Sequence, residues 1–467
     1  MRRDNERGAA LVMALLALSA LGLLAAAIAF TMQTETRSSA NYKYGQGAYY
    51  VASAGVQRSL AWFNNSYTPS VTVYSGDPAR AALQFGGQDV VLAGKAGVSS
   101  NYPDSATVTS FSAANGNQTL TGNSSNSGVY ASNATLLRST SGTFLNTTTF
   151  TSSVSTLERW RIDAFGWWRS AANPLGTSEV SAIIERTASP FWNQAVWVDT
   201  GATFGGNPVG SYVDAYDPSA GPYGPGNITN SAFGSNGDVT LSGYARIYGD
   251  LLYGPTGAFN DNVQAGWDSV TGEVRRMPAK RVFPPIPSFS AGTTDVSVGQ
   301  YGSATIGPGT PTCSSNPCSY RSLNVSKFGN LSLTGGTYYI DGVTLNQGST
   351  LTLAAGANVT LYIKSNLQFN QGSLVNPSYD PSLFQIYYAS TTTATVSALS
   401  GTAGFYGVVY APNAQLTLSG GSDFFGSFIA KSLQSTGGSG IHYDRGLQTR
   451  YLALRPYRII TWTQKTF

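Results

Sequence analysis

The chain has a single histidine, His442, so any chemistry that needs an imidazole must run through the stretch GIHYDRGL. Asp444 stands two residues further on, and a turn histidine hydrogen-bonded to Asp444 or to backbone is the simplest reading. A triad or a histidine metal site would need partners from distant parts of the chain. Asp341, Asp380, Asp423 and Asp444 do not recur at a fixed phase, and no carboxylate pair of the kind that cleaves glycosidic bonds stands out. Asp214 and Asp217 read as solvated loop acids, because no D-x-D-x-D calcium pattern follows them. No Gly-rich phosphate loop follows a strand and opens a helix. Cys313 and Cys318, in TCSSNPCSY, read as a local disulfide if the chain is exported. Zinc would need more ligands than two thiols and one histidine supply. The expectation is therefore no catalytic residue, no metal, no cofactor and no enzyme activity.

What could position a site is mostly β structure. Of 467 residues only 11% are charged, while Gly counts 53, Tyr 27, Phe 21 and Trp 8. Few charges with many aromatic and β-branched residues favour strands over disorder. A net charge of +4 spread over this length gives no basic stripe, so nucleic acid is not expected as a partner.

The N-terminus is different in kind. After the short polar segment RRDNERG, residues 9–30 carry only one polar side chain, Ser19. About 20 apolar residues suffice for a membrane-spanning helix. The helical composition then continues through QGAYYVASAGVQRSLAWF, so one long helix is expected, apolar all round at first and amphipathic beyond. The run is too long for the core of a cleaved signal peptide. A plain membrane anchor and a pilin-type leader both remain, and Arg2, Arg3 and Arg7 orient either one with its N-terminus inside.

The segments RGAALVMALLALSALGLLAAAIA and AYYVASAGVQRSL together resemble the N-terminal region of the PilX family of type IV pilus minor pilins. The resemblance covers about 60 residues. It implies a prepilin peptidase cut between Gly8 and Ala9, N-methylation of Ala9, and a small antiparallel sheet on the second half of the helix. Met13 stands where major pilins carry Glu, which favours a minor subunit. Ser53 stands where the family usually has Glu.

Beyond residue 63, SVTVYSG (70–76), GQDVVLAG (87–94) and ATVTSFSA (106–113) alternate as half-buried strands do. Residues 155–170 and 178–200 read as two or three longer strands in a meander. Further on, YYIDGVTLNQGSTLTL and LYIKSNLQFNQGSLVN align at a period of 23 and then 24 residues, and two aromatic-aromatic-Gly starts lie 19 apart at Phe405 and Phe424. Such a period, with Gly and Asn corners, fits coils of parallel strands with Val343, Leu345, Leu367 and Phe369 inward. A right-handed parallel β-helix is expected, with an antiparallel β-sandwich as the alternative.

The chain is thus read as a leader (1–8), a helix spanning the membrane in its first half (9–63) and a pilin-like β domain (64–200). A Gly/Pro-rich linker (201–233), a β-helix (234–450) interrupted near 256–330, and a last strand or cap (451–467) follow. The expected function is that of a structural minor pilin of a type IV pilus or related pseudopilus, acting in assembly at the tip. It would wait as a single-pass inner-membrane protein and then join the extracellular filament. Its partners would be other pilins, prepilin peptidase and surface or polysaccharide ligands. A helix-anchored adhesin or carbohydrate-binding protein and a β-helix carbohydrate-active enzyme are the alternatives.

Overall fold

A single helix, α1 (Asp4–Asn65), runs 62 residues. At 1.5 Å per residue that is about 90 Å. The computed structural model describes residues 4–70, 72–77, 81–120, 127–206, 211–370, 373–397, 404–419, 423–435, 438 and 440–465. The side chains of Arg2, Arg3 and Arg7, Val71 in the first expected strand, residues 121–126 and 207–210 of two expected loops, and Gln371-Gly372 of the second NQGS lie outside the described residues. The rest of the chain is mainly β, and it divides into two units. One comprises Met1–Thr143, Val154–Ala188 and Leu454–Phe467; the other comprises Phe144–Ser153 and Ser189–Ala453.

In the first unit, the apolar half of α1 is not packed against any described residue: Leu16, Leu23 and Phe30 are all exposed. The second half buries Ala48, Val51, Ala52, Val56, Trp62 and Phe63. They lie on a sheet built from β1 (Gly128–Asn146), β2 (Thr151–Trp168) and β3 (Gly176–Glu185), with the C-terminal strand Arg458–Lys465 at its edge. β2 and β3 are antiparallel, from Arg159 opposite Glu185 to Trp168 opposite Gly176. Along β2, residues 156, 158, 160, 162 and 164 point inward, the period of two that a half-buried strand requires. Two glycines let the helix approach this closely. A Cβ on Gly166 would come within 2.5 Å of the Ala52 amide nitrogen, and one on Gly176 within 2.5 Å of the Tyr44 carbonyl.

Expected strands fail twice in this unit: residues 72–76 of the one expected at 70–76 form only an isolated bridge at Ser75. Residues 106–113, read as a strand, lie in the helix Ser105–Asn115. The Asp104 carboxylate caps it by accepting from the Ala106 and Thr107 amides, and Phe111 and Asn115, four apart, share its buried face. The C-terminal segment is a strand, as one of the two readings had it. Its strand Arg458–Lys465 pairs antiparallel with β3 in the first unit, whereas Tyr451 and Ala453 are buried in the core of the second. Lys465 Nζ meets Glu179 Oε1 at 2.6 Å across that pairing.

In the stacked sheets of the second unit the strand pairings among the described residues are parallel, apart from the short antiparallel pair Tyr212–Tyr216 with Ile228–Thr229 and an isolated bridge. An antiparallel sandwich does not have that pattern. Strands β4 (Val196–Gly206), β5 (Tyr212–Tyr216), β6 (Cys318–Val325), β7 (Gly336–Leu345), β8 (Val359–Phe369), β9 (Phe384–Tyr388), β10 (Phe405–Ser419), β11 (Phe424–Ser435) and β12 (Ile441–Asp444) belong to one large sheet. A second, four-stranded sheet of short strands (Ser303–Ile306, Asn330–Leu333, Thr350–Leu353, Ser373–Val375) runs alongside, also parallel. The expected alignment is the actual register. Tyr339 lies opposite Tyr362 and Ile340 opposite Ile363. The extra residue of the second interval is absorbed by an irregularity between Ile340 and Gly342. Phe405 and Phe424 are likewise opposite one another. Val343, Leu345, Leu367 and Phe369 are at most 1% exposed, and the core they join runs through the unit.

The expected linker and interruption are structured too. Residues 201–233 hold part of β4, all of β5 and the start of Ser231–Ser235, and residues 256–330 hold five strands of the two parallel sheets. β4, expected in the meander of the first sheet, instead lies between parallel neighbours, with β11 on one side and Ser231–Ser235 and Asp238–Gly243 on the other. Its start, AVWV, is apolar on both faces, which suits an internal parallel strand better than a half-exposed meander.

Candidate functional site

Three features carry the polar chemistry and the apolar surface. The first is α1 itself. Ala9–Asn65 contains a stretch long and apolar enough to cross a membrane, and that stretch is bare of any packing partner. Ala9 is exposed and lies, with the Gly8 backbone, inside the helix. The hydroxyls that interrupt the stretch are absorbed locally: Ser19 donates to the Leu16 carbonyl at 2.9 Å and Thr31 to the Ala27 carbonyl at 2.6 Å.

The second is a buried carboxylate where α1 ends. Glu158 is 1% exposed on the inward face of β2. Its Oε2 accepts from Tyr67 Oη at 2.8 Å, Trp160 Nε1 at 2.8 Å and Tyr457 Oη at 3.1 Å, and its Oε1 accepts from Thr156 Oγ1 at 3.0 Å. Burial pushes the Glu158 carboxyl pKa up, against the pull of these four donors. The hydroxyls of Tyr67 and Tyr102 lie 2.9 Å apart, and Asn64 exchanges two hydrogen bonds with the Tyr457 backbone. One carboxylate therefore gathers the end of α1, β2 and the C-terminal segment. Four donors on a sequestered acid make a fastening, not a proton-transfer site open to a substrate. Sequence reasoning missed it, although Glu158 sits in phase with Trp160 and Ile162 and so had to point inward.

The third surrounds His442. It lies in β12, not in a turn, and pairs in register with Asp214 of β5. Its Nδ1 donates to Asp214 Oδ1 at 2.7 Å, and its Nε2 is 3.6 Å from Asp423 Oδ1, within Coulomb range but too long for a hydrogen bond. The expected partner, Asp444, instead accepts from Tyr216 Oη and the Gly446 amide. Asp214, expected as a solvated loop acid, is fully buried and also accepts from Tyr223 Oη at 2.9 Å. The rings of Tyr223 and Phe425 lie 4.0 and 4.7 Å from the imidazole. Burial acts to lower the His442 pKa, but the hydrogen bond to Asp214 and the charges of Asp214 and Asp423 outweigh it and hold the pKa above the ordinary value. Both ring nitrogens face carboxylates, so the imidazole is not presented to a hydroxyl nucleophile.

Two further candidate acids are engaged locally. Asp217 accepts from the Ser219 amide and hydroxyl, and Asp380 caps Ser382 and pairs with Arg450 at 2.9 Å. No group of three or more metal-ligating side chains is found among the described residues. Cys313 and Cys318 are joined as a disulfide, with Cα atoms 5.5 Å apart.

Residues 341–450 match the model of a family described as a domain of unknown function, DUF7305. That segment runs from within β7 past β12 and so includes His442 but neither Glu158 nor α1. No functionally curated protein matches the chain. Among solved structures, the competence-associated pilin ComZ from Thermus thermophilus is similar at 13% identity and a TM-score of 0.25, over 90% of this chain and 97% of that one.

Proposed function

We propose that the chain is a minor pilin of a type IV pilus or a related pseudopilus, with a structural and not a catalytic task. The observation that carries this reading is α1: an unpartnered apolar half that continues without a break into a half seated on an antiparallel sheet. An apolar helix surface of this length is stable only in lipid or against other helices. A pilin passes from the first environment to the second. Prepilin peptidase would cut between Gly8 and Ala9, and Ala9 would be N-methylated. The helix would wait in the inner membrane and then pack among the helices of other pilins in the filament.

The parallel stack of the second unit is, on this reading, a right-handed β-helix in which the two parallel sheets are successive faces of each coil. So bulky a body would not repeat along a thin shaft, and Met13 in place of an acidic side chain fits a subunit with none above it. Both features support a position at the tip, and the disulfide of Cys313 and Cys318 fits an exported body.

N-terminal analysis of the protein recovered from cells with and without prepilin peptidase tests this. A mature chain beginning at methylated Ala9, accumulating uncut when the peptidase is deleted or when Gly8→Val is introduced, supports the reading. A chain that keeps residues 1–8 in peptidase-competent cells, with normal piliation after gene deletion, would overturn it and leave a plain anchored surface protein.

A further inference from the structure

The side of the parallel stack carries a cavity of about 330 Å³ for which filament assembly has no use. Its floor is made by strand register. Thr337 lies opposite Thr360, and Thr360 opposite Gln385, on three successive strands, while Tyr339 lies opposite Tyr362 two residues along. Paired strands stand ~4.8 Å apart, so a row of hydroxyl and amide groups repeats at that interval beside a row of rings.

Phe289 closes one part of the cavity and stacks on Tyr339, with ring centroids 5.4 Å apart and planes 25° from parallel. Asn316 and Asn358 bring side-chain amides to the rim. The hydroxyls of Thr337, Thr360 and Tyr339 and the side-chain amide of Asn358 enter no hydrogen bond among the described residues. Thr360 and Tyr339 are half-buried and Asn358 is exposed, so these groups face the opening with their capacity unspent. No Asp, Glu, Lys, Arg or His is among the lining residues.

That combination selects a class of ligand. A charged molecule entering here would be desolvated without a counter-charge. A wholly apolar one would strip water from five or so polar groups and return nothing. A neutral sugar chain presents apolar ring faces and a rim of hydroxyls that both donate and accept, and one sugar unit is close in length to the strand spacing. We propose that this cleft binds a neutral oligosaccharide, with a ring face against the Phe289–Tyr339 pair and hydroxyls on Thr337, Thr360 and Asn358. The proposal is independent of the pilin reading, since it concerns only the second unit and asks nothing of α1.

Calorimetric titration of the full-length protein in a zwitterionic, sugar-free detergent tests it. The probes are the β-linked hexasaccharides of glucose and of N-acetylglucosamine and the α-linked hexasaccharide of glucose, with trigalacturonate as a charged comparison. Saturable binding of at least one neutral probe is expected, and none of trigalacturonate. Tyr339→Ala should weaken binding at least tenfold, and Tyr339→Phe should keep most of it. Asn358→Asp, at an exposed position where folding is not at stake, should weaken it several-fold by adding a charge. The proposal is overturned if no neutral probe binds, if trigalacturonate binds as tightly, or if Asn358→Asp and Tyr339→Ala both leave the affinity unchanged.

Discussion

Glu158 and His442 are both buried ionisable residues, and their surroundings hold them in opposite ways. Around Glu158 every partner is a neutral donor, so the carboxylate is the hub and its removal strands the donors. Glu158→Ala leaves Tyr67, Trp160 and Tyr457 without their shared acceptor. An unsatisfied buried polar group costs about 1–3 kcal/mol, so a loss of at least ~3 kcal/mol is expected in denaturant titrations. Glu158→Gln keeps the shape but turns an amide towards some of the donors, and should lose less. Equal midpoints for wild type and Glu158→Ala would show that the cluster fastens nothing. His442 is held by charge, with Asp214 and Asp423 facing its two nitrogens and the rings of Tyr212 and Tyr223 nearby. Its pKa is raised in the folded protein, so the folded state binds the proton more tightly than the unfolded chain. That stabilisation is complete below the ordinary histidine value of about 6.5 and is lost as pH rises through the folded pKa. The urea midpoint of wild type should therefore fall over that interval, and His442→Gln should remove this part of the slope. Identical slopes would exclude the histidine as the cause.

At the scale of elements, the parallel stack is an arrangement in which each strand finishes its neighbour's core. Leu361 of β8 lies opposite Tyr338 on one side and Ile386 on the other, and all three are fully buried. Leu361→Ala leaves a cavity enclosed by two strands that are themselves pinned by register, so relaxation is restricted. A destabilisation of 2–5 kcal/mol is the usual range for such a change, and the upper half is expected here from chemical unfolding. A result under about 1 kcal/mol would mean that the stack can slide or collapse around the gap. The irregularity at Ile340–Gly342 follows the same logic. It accommodates one extra residue without turning the inward side chains outward, which a simple slip of register would do.

At the scale of the molecule, α1 divides labour along its own length. Its second half is fixed by the first unit's sheet, while its first half presents an apolar surface that no described residue covers. Deleting residues 9–30 should leave a soluble protein whose unfolding midpoint lies close to that of the full chain, because those residues make no packing contacts. The same deletion should abolish membrane fractionation. Loss of folding in the truncated protein would show instead that the exposed half has an intramolecular role.

Much of this was legible in the sequence because it depends on local periodicity. The apolar run set the exposed helix, since about 20 apolar residues can hide only in lipid or among helices. The 23- and 24-residue spacing set the parallel register, since in-phase strands repeat their inward residues. The Cys313–Cys318 pair was readable from its short separation. Other features were decided by the tertiary structure alone, because they join residues with no common pattern. Ala106–Ala113 alternates like a strand, yet the Asp104 cap and the Phe111–Asn115 face, packed under Trp62 and Ser59, make it a helix. Asp214 and His442 are 228 positions apart and meet only because β5 and β12 pair. Glu158 finds Tyr457 only once the C-terminal segment returns to the first sheet. Such contacts are set by which strands lie side by side, and strand order is a property of the folded chain rather than of any window along it.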